Sequence, residues 1–194
     1  MTRYAGRRAV VVGQDTGIGL AIAKRLVEGG AQVLLTARTA AERAHARAEL
    51  GSAARVAESP DDSCAASAAG PDAPDAPDGP EDQDGPDLLF ADAVATARPL
   101  LARLKDGGAV VLTAPAPSSA AVRQLAAELA PRGIRVNAVA PGCIEAAPAV
   151  ASPLPPLGRL GSAEEVARAA LFLATDATFT TGAQLPVDGG LGPS

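Results

Sequence analysis

The sequence predicts an α/β fold: one mostly parallel, doubly wound sheet with helices on both faces. Two observations carry this. Short apolar runs alternate along the chain with amphipathic stretches of helical spacing, which is the pattern of successive βαβ units. The first apolar run, Ala9–Val12, leads into Gly13-Gln14-Asp15-Thr16-Gly17-Ile18-Gly19, which opens an amphipathic stretch from Leu20 to Gly30. A strand that turns on glycines into a helix N-terminus is suited to a phosphate group. The glycines let the backbone approach the ligand, and the free N–H groups and the helix dipole favour negative charge. The spacing here is GxxxGxG, distinct from GxGxxG.

The elements follow in order. Arg8–Val12 reads as a buried strand. The next helix places Leu20, Ala23, Leu26 and Val27 on one face and ends at Gly29-Gly30. Gln32–Thr36 is a second strand, Ala40–Leu50 a second helix closed by Gly51, and Arg55–Ala57 a short third strand. His45, the only histidine, sits among charged neighbours and reads as a solvated surface residue. Asp87–Ala91 is a fourth strand. A helix is expected over Ala93–Lys105, kinked or begun at Pro99. Ala109–Thr113 is a fifth strand, Ala120–Ala130 a helix with Val122, Leu125, Ala126 and Leu129 on one face, and Ile134–Val139 a sixth strand. A Pro-rich loop runs to Gly161. Ser162-Ala163-Glu164-Glu165 is a capping box that launches a helix to about Ala174, and Gln184–Val187 is the last strand.

Length and composition set limits. The 194 residues suit a single domain, 1–194, with a substantial core. Apolar residues make up 47% but aromatics only 2%, so Ala, Val and Leu must fill the interior. The net charge of −5 is concentrated. Glu58–Asp87 holds ten acidic side chains and no Lys or Arg, which leaves the remainder at +5. With six prolines in Glu58–Pro86 and little apolar surface, residues 58–86 read as an acidic mobile loop inserted in the domain. A net-positive body suits an anionic cofactor. Cys64 and Cys143 lack CxxC spacing and read as reduced thiols, no residues are assigned to a metal, and no segment approaches a signal peptide or membrane span. A cytoplasmic protein that engages neither nucleic acid nor membrane is expected.

The segments GQDTGIG, GIRVNAVAPGCIE, PLGRLGSAEEVARAALFLATDA and TTGAQLPVDGG, in this order, resemble the short-chain dehydrogenase/reductase family across roughly two thirds of the chain. The resemblance implies NAD(P)(H) in a Rossmann-like cleft. Gly13, Gly17 and Gly19 would turn the chain under the pyrophosphate, with backbone amides supplied from Gln14, Asp15, Thr16, Gly17 and Ile18. Arg38 falls where the family chooses its cofactor. Thr36-Ala37-Arg38-Thr39 contains no acid, and a guanidinium pairs with a 2′-phosphate, so NADP(H) is favoured over NAD(H). Pro141, Gly142 and Ile144 would flank the nicotinamide. Ala146 stands where the family usually has Thr.

The middle of the chain departs from the family. Asn-Asn-Ala-Gly becomes Ala91-Asp92-Ala93-Val94, so Ala91 takes the first position of that cofactor-side segment. The catalytic Asn of the helix that follows has no counterpart. The catalytic Ser corresponds to about Pro115, with Thr113, Ser118 and Ser119 nearby. The segment that would carry Tyr-x-x-x-Lys is deleted. The only tyrosine is Tyr4, and the only lysines are Lys24 and Lys105. The family's chemistry needs a phenol of lowered pKa with an ammonium beside it.

Two functions remain open on the sequence. One is a catalytically silent, cofactor-binding or partner subunit. The other is an SDR-fold enzyme using other groups, with Thr113, Ser118 and Cys143 as candidates and Asp92 and Glu145 also near the cleft. Each has a plainer reading: a strand end for Thr113, a small apolar filler for Cys143, a helix start for Asp92, a solvated charge for Glu145. The resemblance further implies a homodimer through residues 162–174 and 184–187.

Overall fold

The computed structural model of the protein describes residues 3–13, 17–58, 85–113, 118–145 and 154–192. Gln14, Asp15, Thr16, Ala146 and nearly all of the acidic stretch 58–86 lie outside the described residues. Seven strands form one sheet: β1 (Arg8–Val12), β2 (Gln32–Thr36), β3 (Ala54–Ala57), β4 (Leu88–Ala91), β5 (Ala109–Leu112), β6 (Arg135–Pro141) and β7 (Gln184–Val187). Their order is β3-β2-β1-β4-β5-β6-β7, and every pairing is parallel. The chain winds from β1 outward to β3, then restarts at β4 on the other side of β1. That reversal between β1 and β4 is the topological switch point of a doubly wound sheet.

Parallel strands buried on both faces read as apolar runs, and β4 and β5 are buried at every position. Alternate side chains divide between two core layers. Ala9, Val11, Val33, Leu35, Leu88, Phe90 and Val111 face the helices α1 (Ile18–Glu28), α2 (Ala40–Leu50) and α5 (Ala163–Thr175). Val12, Leu89, Ala91, Val110, Leu112, Val136 and Ala138 face α3 (Val94–Ala97), its 3₁₀ continuation Arg98–Arg103, and α4 (Ser119–Leu129). Phe90 is the one large aromatic among the fully buried side chains; Leu, Ile and Val supply the rest.

Helix boundaries differ from the sequence expectation where local chemistry intervenes. α1 starts at Ile18, two residues early, because Gly17 takes a left-handed conformation (φ 74°) and serves as N-cap. Thr39 and Glu42 form a reciprocal capping box at the start of α2. The helix expected over Ala93–Lys105 is a single α turn followed by a 3₁₀ segment. Pro99 lacks the N–H that would continue an i→i−4 ladder. α4 begins at Ser119 because the Ser118 hydroxyl accepts the Ala121 N–H (3.1 Å). The Ser162–Glu165 capping box forms as expected at α5.

Two arginines tie helix ends to the sheet. Arg132 donates to the Leu101 (2.7 Å) and Leu104 carbonyls and pairs with Asp106 (2.7 Å). Arg135, at the start of β6, donates to Leu173 (2.7 Å), Ala174 (2.6 Å) and Ala177 (3.0 Å), carbonyls at and just beyond the C-terminus of α5. These are acceptors that a helix end cannot satisfy for itself. Asn137, fully buried in β6, is satisfied by the Thr180 carbonyl (2.8 Å) and the Ala183 N–H (3.0 Å). Replacing Arg135 by alanine leaves three carbonyls without their donor. The expected loss, from equilibrium denaturation, is about 2–3 kcal/mol.

Candidate functional site

In a parallel sheet every strand ends on the same edge, and five of the seven strands, β1, β2, β4, β5 and β6, deliver a residue named from the sequence to that edge. Gly13 follows β1, and Arg38 and Thr39 follow β2. Ala91 ends β4, with Asp92 next. Thr113 follows β5, and Pro141 ends β6 ahead of Gly142, Cys143 and Ile144. The crevice between the carboxyl ends of β1 and β4 lies at the switch point, the place where ligands of such sheets bind.

Gly13 has φ 89°, a conformation that side chains rarely adopt. It also has no room for one. A Cβ there would come within 2.6–2.8 Å of the Asp92 side chain. The pairing of Val12 with Ala91 explains this, since the next residue on each strand is Gly13 and Asp92. Thr96, one turn on, donates its hydroxyl to Asp92 Oδ1 and accepts the Ala93 N–H (3.1 Å). This contact was not legible in the sequence, which places Asp92 near the cleft or at a helix start but not against Gly13. Beyond the turn, the first helical bond of α1 is Ala21 N–H to Gly17 O (3.0 Å). The amides of Ile18, Gly19 and Leu20 therefore precede the helical ladder, at the positive end of the helix dipole.

At the end of β2 the Arg43 guanidinium donates to the carbonyls of Ala37 (3.3 Å) and Arg38 (3.2 Å) and pairs with Glu58 (3.3 Å). The strand–helix turn that carries exposed Arg38 is thereby held from α2. Of the catalytic candidates, Thr113 is buried and bound to the Ala91 carbonyl through both its N–H (2.8 Å) and its hydroxyl (3.3 Å). Ser118 is the N-cap of α4. Cys143 is half-buried and free of a disulfide. Tyr4 is buried ahead of β1, its N–H bonded to the Gly29 carbonyl (2.7 Å) at the opposite edge of the sheet. Lys24 pairs with Glu49 on α2, and Lys105 with Asp87 (3.6 Å) just before β4. The lone tyrosine and the two lysines do not converge on the crevice.

The far side of the crevice is built by β6, β7 and the segment before α5. Gly142 donates to the Val187 carbonyl (3.0 Å), and a Cβ on Gly142 would lie 2.7 Å from Asp188 Cα. Ile144 pairs with Gly161 through Gly161 N–H to Cys143 O (2.9 Å) and Glu145 N–H to Gly161 O (2.9 Å). Arg159 is bidentate to Glu165 (2.7 and 2.9 Å), whose Oε2 also accepts the Ser162 N–H (2.9 Å). Those donors, Arg159 foremost, pull the Glu165 carboxyl from its ordinary 4.5 down to about 2. Among the described residues no group of His, Cys, Asp and Glu could hold a metal ion. No described helix is long and apolar enough to cross a membrane.

A glycine turn at the switch point of a seven-stranded parallel sheet marks a nucleotide-binding class of α/β protein. Comparison with known proteins narrows this. The family model described as short chain dehydrogenase matches residues 7–63, and that described as enoyl-(acyl carrier protein) reductase matches residues 108–192. Galactitol 2-dehydrogenase (L-tagatose-forming) of Cereibacter sphaeroides is 33% identical over 248 aligned residues, covering 97% of this chain and 96% of the relative. That alignment is longer than this chain, so the relative carries segments that are missing here. Glucose 1-dehydrogenase of Gluconobacter oxydans is 49% identical over 83 residues, 36% of this chain and 31% of its own. A solved short chain dehydrogenase/reductase family protein superposes with a TM-score of 0.75 at 26% identity, covering 97% of this chain and 98% of its own. A blue fluorescent protein from a metagenomic library, solved in complex with NADPH, shares the fold at a TM-score of 0.76 and 21% identity, with 98% and 100% covered. The chain belongs to the short-chain dehydrogenase/reductase family.

The Glu165 cluster gives a pH signature. Its carboxyl titrates lower in the folded protein than in the unfolded chain, so its contribution is present above about pH 4.5 and is lost as pH falls toward 2. Melting temperatures across that window should fall more steeply for the native protein than for Glu165→Gln, which keeps the cap acceptor without the charge.

Proposed function

We propose that this protein binds a nicotinamide dinucleotide at the β1/β4 crevice, NADP(H) in preference to NAD(H), and does not run the family's usual carbonyl chemistry. The observation that carries the reading is the pairing of a glycine turn at the switch point with Arg38 at the end of β2. The residues fit the group. Gly13 and Gly17 take positive φ, so the backbone can pass close beneath a pyrophosphate, and the amides of Ile18 and Gly19 would meet its charge. Ala91, Pro141, Gly142 and Ile144 lie along the same edge and would flank the rest of the molecule. Gln14, Asp15, Thr16 and Thr39 would complete the turn and the ribose side. When bound, such a cofactor supplies or takes up a hydride.

Hydride transfer to a carbonyl develops negative charge on oxygen, and a positioned donor must meet it. General acid catalysis is typically worth about 10²–10⁴-fold. Thr113 donates its hydroxyl to the Ala91 carbonyl, and the Ser118 oxygen is held at the α4 cap, where it accepts the Ala121 N–H. Tyr4 belongs to the other edge of the sheet. This favours a cofactor-binding or partner subunit. A divergent oxidoreductase is the second reading, favoured by half-buried Cys143 and Asp92 at the crevice and by a relative named as a dehydrogenase along nearly its whole length.

Assembly through residues 162–174 and 184–187 is part of the proposal. β7 is an edge strand among the described residues, and Phe172 of α5 and Phe179 just beyond it are exposed, Phe179 fully. A homodimer through this surface, without a tetramer, is expected from light scattering. A monomer at micromolar concentration would count against it, as would a stable tetramer.

The central test is titration of nicotinamide fluorescence with NADPH and NADH. A desolvated Arg–phosphate pair contributes on the order of 1.5–3 kcal/mol, or roughly ten- to hundredfold. NADPH should bind tighter by that margin, and Arg38→Ala should remove most of the preference. With ketones, quinones and aldehydes added, NADPH should not be consumed at a rate typical of the fold. Turnover lost on replacing Cys143 or Thr113 would establish the second reading instead.

A further inference from the structure

The carboxylate of Asp92 occupies the crevice that the cofactor would enter. The register sets it beside Gly13 across the β1/β4 pair, and a Cβ at Gly13 would lie 2.7 Å from Asp92 Oδ2 and 2.6 Å from Cγ. The side chain is half-buried, and the Thr96 hydroxyl anchors its other oxygen, Oδ1. A carboxylate held this way is a fixed negative charge at the mouth of a site whose glycine turn and helix dipole attract anions.

We infer that Asp92 is a specificity-determining residue of this crevice, which penalises the more highly charged cofactor and so opposes Arg38. The inference rests on the cofactor reading above and deepens it. The argument needs no detailed pose. NADPH differs from NADH by one phosphate group, an additional charge of nearly −2 near neutral pH. Removing a fixed negative charge from a shared, partly desolvated site therefore favours NADPH more than NADH. A carboxylate also accepts from a ribose hydroxyl, which NADH retains where NADPH carries its extra phosphate. Both effects push the affinity ratio in the same direction. Arg38 draws the 2′-phosphate in, Asp92 resists it, and the preference is the balance of the two.

The test uses the full chain, with dissociation constants for NADPH and NADH from nicotinamide fluorescence. Asp92→Asn preserves the shape and can still accept the Thr96 hydroxyl. It should raise the NADPH-over-NADH affinity ratio by about three- to tenfold, with a smaller gain at high salt, where charges are screened. Thr96→Val keeps the charge and removes its anchor, and should leave the ratio within about twofold. Arg38→Ala should move the ratio the opposite way. An unchanged or lowered ratio in Asp92→Asn overturns the inference. So does an equal shift in Thr96→Val, which would make the effect one of local structure. Loss of both cofactors in Asp92→Asn alone would assign the side chain a purely structural part and overturn it as well. Failure of the native protein to bind either cofactor would instead remove the cofactor reading itself.

Discussion

A parallel sheet of seven strands has two apolar faces, and neither can be left to water. Burying both with few aromatic side chains constrains everything else. Each strand offers alternate residues to opposite layers, so β4 and β5 must be apolar throughout, and helices must lie on each side. The helices in turn need their ends satisfied, because the sheet hides them from solvent. Arg132 and Arg135 do this for the 3₁₀ segment after β4 and for α5, reaching five carbonyls between them. The side chains named most readily as surface charges are here the ones that lock helices to strands.

The same winding creates the site. Because the chain leaves β1 in one direction and returns at β4 on the other side, the loops after these strands diverge and leave a crevice at the carboxyl edge. Glycine is required at its lip for two separate reasons, a positive φ and the Asp92 carboxyl group pressed against its Cα. Among the described residues, the crevice offers main chain and charge for binding: amides at the start of α1, the guanidinium of Arg38 and the Asp92 carboxylate. The hydroxyls that might have served chemistry are engaged in structure, Thr113 on the Ala91 carbonyl and Ser118 on the first turn of α4.

A relative that aligns along nearly the whole chain is longer than it, and the matched family segments are residues 7–63, the first βα units, and residues 108–192, from β5 onward. Those two parts supply the glycine turn, α1, β6, α5 and β7, which build the sheet and the cofactor side of the crevice. The described part of the stretch between them folds into β4, α3 and a 3₁₀ segment. α4 and the 3₁₀ segment cover the second face of the sheet, with Leu100, Leu104, Val122 and Leu125 buried.

All seven strands of the described residues and their class were legible in the sequence, because short runs rich in Val, Leu and Ala between amphipathic stretches declare themselves without tertiary help. The glycine turn was equally legible, since only backbone geometry demands glycine at that spacing. Local chemistry at a distance of three residues was partly legible: Ser162–Glu165 was read as a capping box, while the same pattern at Thr39–Glu42 and the cap at Ser118 were missed. The helix after β4 was read too long: Pro99 was expected to kink it or begin it, whereas the α-helix stops at Ala97 and a 3₁₀ segment follows. Contacts across long sequence separations were decided only by the tertiary structure. Asp92 meets Gly13, seventy-nine residues away, solely through the register of β1 with β4, and Arg135 reaches the end of α5 solely through the course of the chain from β6. Sequence pattern determines what each segment becomes because that depends on neighbours within a few residues. It leaves open which side chains meet, because that depends on how strands pair.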